Sequence, residues 1–111
     1  MSSAAQSWAI PLRIDAIGRD GSLVLVLEGE LDITTSPLLD EALERAAGTD
    51  AVSIVVDLTA VSSIDSTGLH VLIRHARAQE RRTRIRVGQG SLQVQRLFQL
   101  TGASRYLPFE D

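Results

Sequence analysis

The stretch VDLTAVSSIDSTGL at residues 56–69 decides the fold of this chain. The pattern leaves an apolar strand, crosses a loop fixed by Val61 and Ile64, and enters an amphipathic helix. Asp65 therefore falls at a helix N-terminus, where its side chain can cap the helix, and Ser66 is an exposed hydroxyl in the first turn. Because the first N–H groups of a helix lack partners and the helix dipole is positive at that end, the position favours a phosphate.

A β-hairpin is predicted upstream of this stretch. Residues 10–16 alternate apolar and polar side chains, which is typical of a half-buried strand, and Pro11 places that strand at a sheet edge. Turn residues at 18–21 precede a continuously apolar run at 23–27. This run predicts a second, more central strand.

A first helix is predicted after the hairpin. Ser36 and Pro37 are typical of a helix start, with the serine as cap and the proline at the first helical position. Gly48 is expected to end the helix. Its apolar face is formed by Leu39, Ala42, Leu43 and Ala46.

Beyond this helix, strands and helices alternate. The most buried strand is predicted at 52–58, and a helix beginning near Ser66 follows it. A short strand at 85–87 precedes a third helix, which Ser91 caps and Gly102 ends. The alternation implies right-handed parallel crossovers, so the predicted class is α/β, with one mixed sheet packed against helices.

Acidic side chains are expected at the carboxyl ends of two strands, where binding sites gather in such sheets. Asp32 follows one strand, whereas Asp57 and Asp65 follow the next. These carboxylates could form an acidic rim near Ser66, although for Asp32 and Asp57 caps and loop hydrogen bonds are an equally good explanation. Gly68 leaves room for the backbone of another protein to approach.

Composition narrows the class of protein. A chain of 111 residues has the size of one domain. No apolar run approaches the ~20 residues of a membrane span, and the N-terminus lacks the pattern of a signal peptide. The chain has no cysteine, which removes disulfides and thiolate chemistry. We therefore expect a cytoplasmic protein that does not insert into a membrane.

Three segments resemble the STAS domain family, specifically bacterial anti-sigma factor antagonists. They are Asp57-Leu58 followed by IDSTGL at 64–69, LEGELD at 27–32, and LFQLTG at 97–102. The resemblance extends over residues 10–105 and implies a STAS-like domain at 9–111, behind a flexible lead at 1–8. The family usually ends in a further strand and helix, but only residues 106–111 remain here, so the last helix is either missing or truncated.

The resemblance also implies a partner-switching mechanism. The unmodified protein, a monomer or weak dimer, binds an anti-sigma factor that is also a serine kinase, and this frees a sigma factor. Phosphorylation of Ser66, with Thr67 as the alternative acceptor, lowers the affinity, and a phosphatase resets the cycle. The nucleotide belongs to the kinase, so no cofactor is expected. The implied partner-binding residues are Asp32, Asp57, Asp65, Ser66, Thr67, Gly68 and Leu69.

Other functions fit parts of the sequence. A STAS subunit of a lipid transporter or sensory scaffold would keep the same fold. Residues 65–68 also resemble the Asp-Thr/Ser-Gly loop of aspartic proteases, in which a dimer could complete a catalytic pair. The protease loop lacks the extra residue found here, and no helix follows it directly. A Ser66–His70 hydrolase would need an orienting group and an oxyanion hole, so no enzymatic activity is expected.

Charged residues argue against nucleic-acid and metal sites. The net charge is −3, and the arginine-rich stretch from Arg74 to Arg86 has no interleaved aromatic residue for base stacking. It is better explained as a solvated helix end. All 11 basic residues are arginine, so a phosphate-binding lysine is excluded. His70 and His75 are not four residues apart, so no helical metal pair is predicted.

Overall fold

The computed structural model describes residues 11–78, 84–88 and 90–109 of the chain. The described elements are four strands and three helices. In chain order they are β1 (Leu12–Arg19), β2 (Ser22–Leu31), α1 (Ser36–Ala47), β3 (Ser53–Ile64), α2 (Ser66–Ala78), β4 (Arg84–Val87) and α3 (Leu92–Thr101). A short 3-10 turn, Ala103–Arg105, follows α3.

The strands form one mixed sheet in the order β1-β2-β3-β4. β1 and β2 are antiparallel, whereas β2, β3 and β4 run parallel to one another. Because α1 and α2 connect neighbouring parallel strands in the same direction along the sheet, right-handed crossovers place both helices on one face. The predicted fold class is confirmed. Among the described helices, none is long and apolar enough to cross a membrane.

The hairpin turn consists of Asp20 and Gly21, with φ values of 48° and 84°. Two central residues with positive φ are typical of the type I′ turn, whose twist matches that of the flanking strands. β1 is an edge strand, as Pro11 predicted, but Pro11 itself lies immediately before the strand and not within it. The predicted start of that strand at Ile10 lies outside the described residues.

β3 is longer than predicted, because the loop expected after Leu58 is a continuation of the strand. The strand reaches Ile64, which pairs with Leu31 at the end of β2, and two register shifts accompany this extension. Burial changes along β3 from every second residue to every third, so that Leu58, Val61 and Ile64 are buried. Val61 and Ile64 therefore hold a strand against the core rather than a loop.

One register shift lies at Gly29, which has a φ of 122°. A Cβ atom at this position would lie 2.2 Å from the carbonyl oxygen of Pro11. That oxygen accepts a hydrogen bond of 2.7 Å from the N–H of Glu30. Glycine permits this close approach, which fixes the chain entering β1 beside the carboxyl end of β2.

The helices pack as their patterns predicted. In α3, the Ser91 side chain accepts a hydrogen bond from the N–H of Val94, and Gly102 ends the helix with a φ of 74°. Val94 and Phe98 are buried in the core. The buried face of α1 includes the predicted residues Leu39, Ala42, Leu43 and Ala46.

The chain returns to the sheet after α3. The N–H of Val87 donates to the carbonyl of Pro108 at 2.8 Å, and Phe109 forms a single parallel bridge with Val87. The ring of Phe109 lies 5.4 Å from that of Phe98. Pro108 and Phe109 thus join the chain after α3 to β4, the strand farthest from the hairpin.

Candidate functional site

The carboxyl ends of β2 and β3 lie side by side. Leu31 and Ile64 pair at these ends, so Asp32 and Asp65 leave neighbouring strands, which run about 4.8 Å apart. The N–H of Asp65 donates to the carbonyl of Leu31 at 3.0 Å. The fold therefore brings Asp32 and Asp65 to one edge of the sheet, where α1 and α2 begin.

Asp65 caps α2, as the sequence predicted. Its Oδ1 atom accepts hydrogen bonds from the N–H groups of Thr67 at 2.9 Å and Gly68 at 3.1 Å. Its carbonyl accepts from Leu69 at 3.0 Å. The sequence predicts free N–H groups here for a phosphate, but the carboxylate of Asp65 already occupies two of them.

Ser66 is the first residue of α2 and its side chain is exposed, whereas Thr67 is half-buried. The helix dipole favours negative charge at this end, and the carboxylate of Asp65 already provides it. The alternative acceptor, Thr67, is therefore less accessible than Ser66 to a modifying enzyme.

Asp32 organises the turn between β2 and α1. Its Oδ1 atom accepts from the N–H groups of Thr34 at 2.9 Å and Thr35 at 3.1 Å. The buried hydroxyl of Thr35 donates to the carbonyl of Glu30 at 2.8 Å and accepts from the N–H of Asp32 at 2.9 Å. Ser36 was predicted to cap α1, but it lies inside the helix because Asp32 and Thr35 fix the preceding turn.

This turn presents an apolar side chain that the sequence argument missed. Ile33 is 73% exposed and lies next to Asp32. A single branched apolar residue among the polar residues of a strand-to-helix connection was the available signal. With Ser66, it gives this edge of the sheet both a polar and an apolar contact point.

Asp57 does not lie at this edge. It sits within β3 opposite Val26, and its Oδ1 atom accepts from the N–H of Thr59 at 2.9 Å. The strand continues to Ile64, so Asp57 is roughly 20 Å away along the strand at about 3.3 Å per residue. The acidic rim therefore consists of Asp32 and Asp65 without Asp57.

Gly68 and Leu69 are buried in the fold. A Cβ atom on Gly68 would lie 2.5 Å from Cγ of Leu31 and 2.9 Å from its Cδ2. The sequence predicted that Gly68 leaves room for the backbone of another protein. In the structure, the glycine instead permits close packing of α2 against the end of β2. Leu69 is 6% exposed. Both residues position the turn that carries Ser66.

Asp40 on α1 and His75 on α2 join the two helices. Nε2 of the buried His75 lies 2.5 Å from Oδ1 of Asp40, and the guanidinium of Arg74 lies 3.1 Å from the same oxygen. The hydrogen bond with His75, supported by Arg74 and opposed by desolvation, lowers the pKa of Asp40 below its ordinary value. Sequence patterns gave no sign of this pair, because its residues are distant in the chain.

Donor atoms of Asp40, Glu44 and His75 lie within 4.8 Å of one another, which is close enough to share a cation. The carboxylate of Asp40 already accepts from His75 and Arg74, and the positive charge of Arg74 opposes a metal ion. Residues 79–83 of the arginine-rich stretch lie outside the described residues.

The helical start at Ser66 bears on the protease alternative. Residues 66–68 lie in the first turn of α2. The aspartic protease loop requires a non-helical conformation, so that alternative is contradicted. His70 is exposed on the same helix.

The family model for the STAS domain matches residues 13–111. The anti-sigma-B factor antagonist of Listeria monocytogenes is 35% identical over 81 residues, covering 72% of this chain and 71% of the relative.

Two solved structures share the fold. An anti-sigma factor antagonist from Mycobacterium paratuberculosis superposes with a TM-score of 0.80 at 26% identity, covering 88% of this chain and 84% of the other. The phosphorylated form of the Bacillus cell fate determinant SpoIIAA superposes with a TM-score of 0.63 at 20% identity, covering 90% and 91%. The family match spans nearly the whole sequence, and we conclude that this chain belongs to the STAS domain family.

Proposed function

We propose that this chain is an anti-sigma factor antagonist that is switched off by phosphorylation of Ser66. The observation that carries the proposal is an exposed serine at the start of α2, on a chain 35% identical to an anti-sigma-B factor antagonist. The chain acts by binding, not by catalysis. Its partners are an anti-sigma factor that is also a serine kinase and a phosphatase that removes the phosphate.

The docking edge consists of the two turns at the carboxyl ends of β2 and β3. Ile33 supplies apolar contact area, and the exposed hydroxyl of Ser66 lies in the neighbouring turn. Asp32 and Asp65 hold these turns through hydrogen bonds to backbone N–H groups. Binding here brings Ser66 to the kinase, which also supplies the nucleotide.

Phosphorylation adds a charge of about −1.5 to −2. The two N–H groups nearest Ser66 along the helix are engaged by Asp65, so the phosphate stays in solvent beside a carboxylate. In the free protein the helix dipole stabilises it by roughly 0.3–1 kcal/mol. In the complex an unpaired phosphate would be desolvated at several kcal/mol. Since each 1.4 kcal/mol is about tenfold, the affinity should fall by about a hundredfold or more.

The proposal is tested with a purified anti-sigma kinase, calorimetry and mass spectrometry. Ser66→Ala should bind the kinase with unchanged affinity and should no longer be released by ATP, and the phosphate on the original protein should map to Ser66. Ser63→Ala is the matched control, because Ser63 is an exposed serine near the end of β3. Phosphate found on Thr67 would mean that Thr67, and not Ser66, is the phosphorylated residue. Equal affinity of the phosphorylated and unphosphorylated forms would overturn the switch.

Failure to bind any anti-sigma kinase would favour a STAS subunit of a transporter or sensory scaffold. A pull-down from the native cells separates these functions, because the antagonist should capture the kinase only while Ser66 is unmodified. Asp65→Asn should still capture the kinase, because the asparagine side-chain oxygen can accept the same hydrogen bonds from Thr67 and Gly68.

A further inference from the structure

The two edges of the sheet differ in what covers them. At the β4 edge, the N–H of Val87 donates to the carbonyl of Pro108, and Phe109 forms a bridge with the same strand. At the opposite edge, β1 pairs with β2 on one side, and within the described part of the chain no residue pairs with its other side. An edge strand with open backbone groups can pair with a strand of another molecule.

The open side of β1 carries the backbone groups of Leu12, Ile14 and Ala16. The carbonyl of Pro11 accepts from the N–H of Glu30 on β2, so odd-numbered residues direct their backbone groups toward β2. Because hydrogen bonding alternates along an antiparallel pair, the even-numbered residues of β1 direct theirs outward. The side chains of the same three residues line an apolar groove beside α1. The edge therefore offers hydrogen-bonding groups and apolar area together.

We propose that β1 pairs antiparallel with β1 of a second copy of this chain, with a twofold axis at Ile14. Leu12 of each copy then lies opposite Ala16 of the other, and the two Ile14 residues lie opposite each other. On the other face of the strands, Arg13 of each copy lies opposite Asp15 of the other. The twofold axis makes both charge pairs identical.

Charge selects this register among the neighbouring ones. Arg13 and Asp15 are two residues apart, and their side chains are 63% and 60% exposed. A shift of two residues either way would place Arg13 opposite Arg13, or Asp15 opposite Asp15, and like charges directly opposite are destabilising. A shift of four residues toward the hairpin turn would place Arg13 opposite Arg19. A shift of six would pair Asp15 with Arg19, but would leave Leu12 and Ile14 outside the contact.

The alternating charges distinguish β1 from a protected edge strand. Natural edges often carry lysines, which repel a second copy of the same strand. In β1, Arg13 lies 3.5 Å from Asp15 of its own strand. The second copy brings the same pair in the opposite order, with Cα atoms about 4.5 Å apart across the strands. Four alternating charges would then form one cluster. The contact involves only residues 12–16 of each copy, so the dimer should be weak and reversible.

Sedimentation equilibrium of charge variants tests the pairing. The original protein should form a dimer whose share rises with concentration up to about 1 mM. Arg13→Glu should weaken the dimer about tenfold or more, because it places like charges opposite each other twice. Combining Arg13→Glu with Asp15→Arg restores opposite charges and should recover the dimer. Arg19→Glu is the matched control, because Arg19 is exposed on the same face of β1 and the net charge changes equally. It should change the affinity little.

Single cysteines test the register. The chain has no cysteine, so each variant carries one thiol. Ile14→Cys places the two thiols opposite each other, with Cα atoms about 5.5 Å apart, a separation that a disulfide can span. Ala16→Cys lies on the same face, but its two copies would be about 13 Å apart along the strands. Mild oxidation should therefore crosslink Ile14→Cys severalfold faster than Ala16→Cys.

Several outcomes would overturn the proposal. A protein that stays monomeric at about 1 mM would leave the β1 edge to a strand of another protein. A dimer that Arg13→Glu and Arg19→Glu weaken equally, or that the double variant does not recover, would not be held by the charge pairs. Equal crosslinking of Ile14→Cys and Ala16→Cys would contradict the register. None of these outcomes changes the role proposed for Ser66.

Discussion

Ser36 and Ser66 are each the first residue of a helix that follows an aspartate at a strand end, yet their environments are opposite. Ser36 is 2% exposed, and both its hydroxyl and its N–H donate to the carbonyl of Asp32. Ser66 is exposed, and the aspartate before it bonds to the two residues after it. One serine is part of the structure, whereas the other is available to a partner.

The length of the turn produces this difference. Residues 33–35 separate Asp32 from α1, and the chain turns back far enough for Thr35 to be buried and for Ser36 to be covered. After Asp65 the helix begins at once, so its first side chain projects from the edge of the sheet. A serine at a helix start behind a strand-end aspartate therefore cannot be assigned as a modification site from sequence alone, because its exposure depends on how the preceding turn folds.

The largest effect is expected from placing a carboxylate at each serine. Ser36→Asp would bury a charge against the Asp32 carbonyl and lose the hydroxyl donor, at a cost of about 3 kcal/mol or more. Ser66→Asp should change the free energy of unfolding by less than about 0.5 kcal/mol but weaken kinase binding about a hundredfold. Urea unfolding and calorimetry measure the two quantities. Similar destabilisation by both variants would mean that the two serines are not distinguished by burial.

A smaller effect is expected at the glycine that seats the Ser66 turn. Gly68→Ala would place a Cβ atom 2.5 Å from Leu31 Cγ, and such overpacking costs about 1–3 kcal/mol. The better helix propensity of alanine returns up to about 1 kcal/mol, so we expect a net loss of about 1–2 kcal/mol in urea unfolding. Gly18→Ala is the control, because nothing lies within 4 Å of its Cβ position. Equal stability of the two variants would contradict the packing argument.

The sequence predicted the elements that depend on local signals. The hairpin follows from the alternation in β1 and from Asp20-Gly21, and the caps at Asp65 and Ser91 follow from residue type and position. The resemblance to the STAS domain family located the same turns. These features need only a few neighbouring residues, so no knowledge of distant contacts was required.

Features that depend on distant contacts were missed. Residues 59–63 are mostly small and polar and resemble a loop, but they pair with the end of β2 through register shifts that no local pattern reveals. Because the strand was predicted to end at Leu58, Asp57 was expected at its carboxyl end, whereas it lies within β3. The hydrogen bond between Asp40 and His75 joins two helices that are distant in the chain. The burial of Ser36 depends on the turn that contains the buried Thr35.

A third prediction compares Asp65, which caps α2, with Asp32, which holds the turn before α1. Asp65→Ala frees the N–H groups of Thr67 and Gly68 and should cost about 1 kcal/mol of stability. A phosphate on Ser66 should recover part of that loss, because it can accept from these groups once the carboxylate is gone. Asp32→Ala should cost a similar amount, but the phosphate should recover none of it. Urea unfolding of each variant with and without phosphate measures the coupling, and equal recovery in both would contradict it.

The smallest expected effect concerns the tie between the two helices. The hydrogen bond of Asp40 with His75, followed by the contribution of Arg74, lowers the pKa of Asp40 below its ordinary 3.8. A carboxylate whose pKa is lower in the folded state stabilises the protein above its unfolded-state pKa, and this stability is lost as the pH falls through the folded-state pKa. The Asp40 side chain is 37% exposed, and solvent screening keeps the contribution below about 1 kcal/mol. Asp40→Asn should therefore flatten the pH dependence of unfolding below about pH 4, and Arg74→Gln should flatten it less. Neither change should alter phosphorylation of Ser66, since the tie lies away from both turns. Unchanged curves for Asp40→Asn would show that this bond does not contribute to stability.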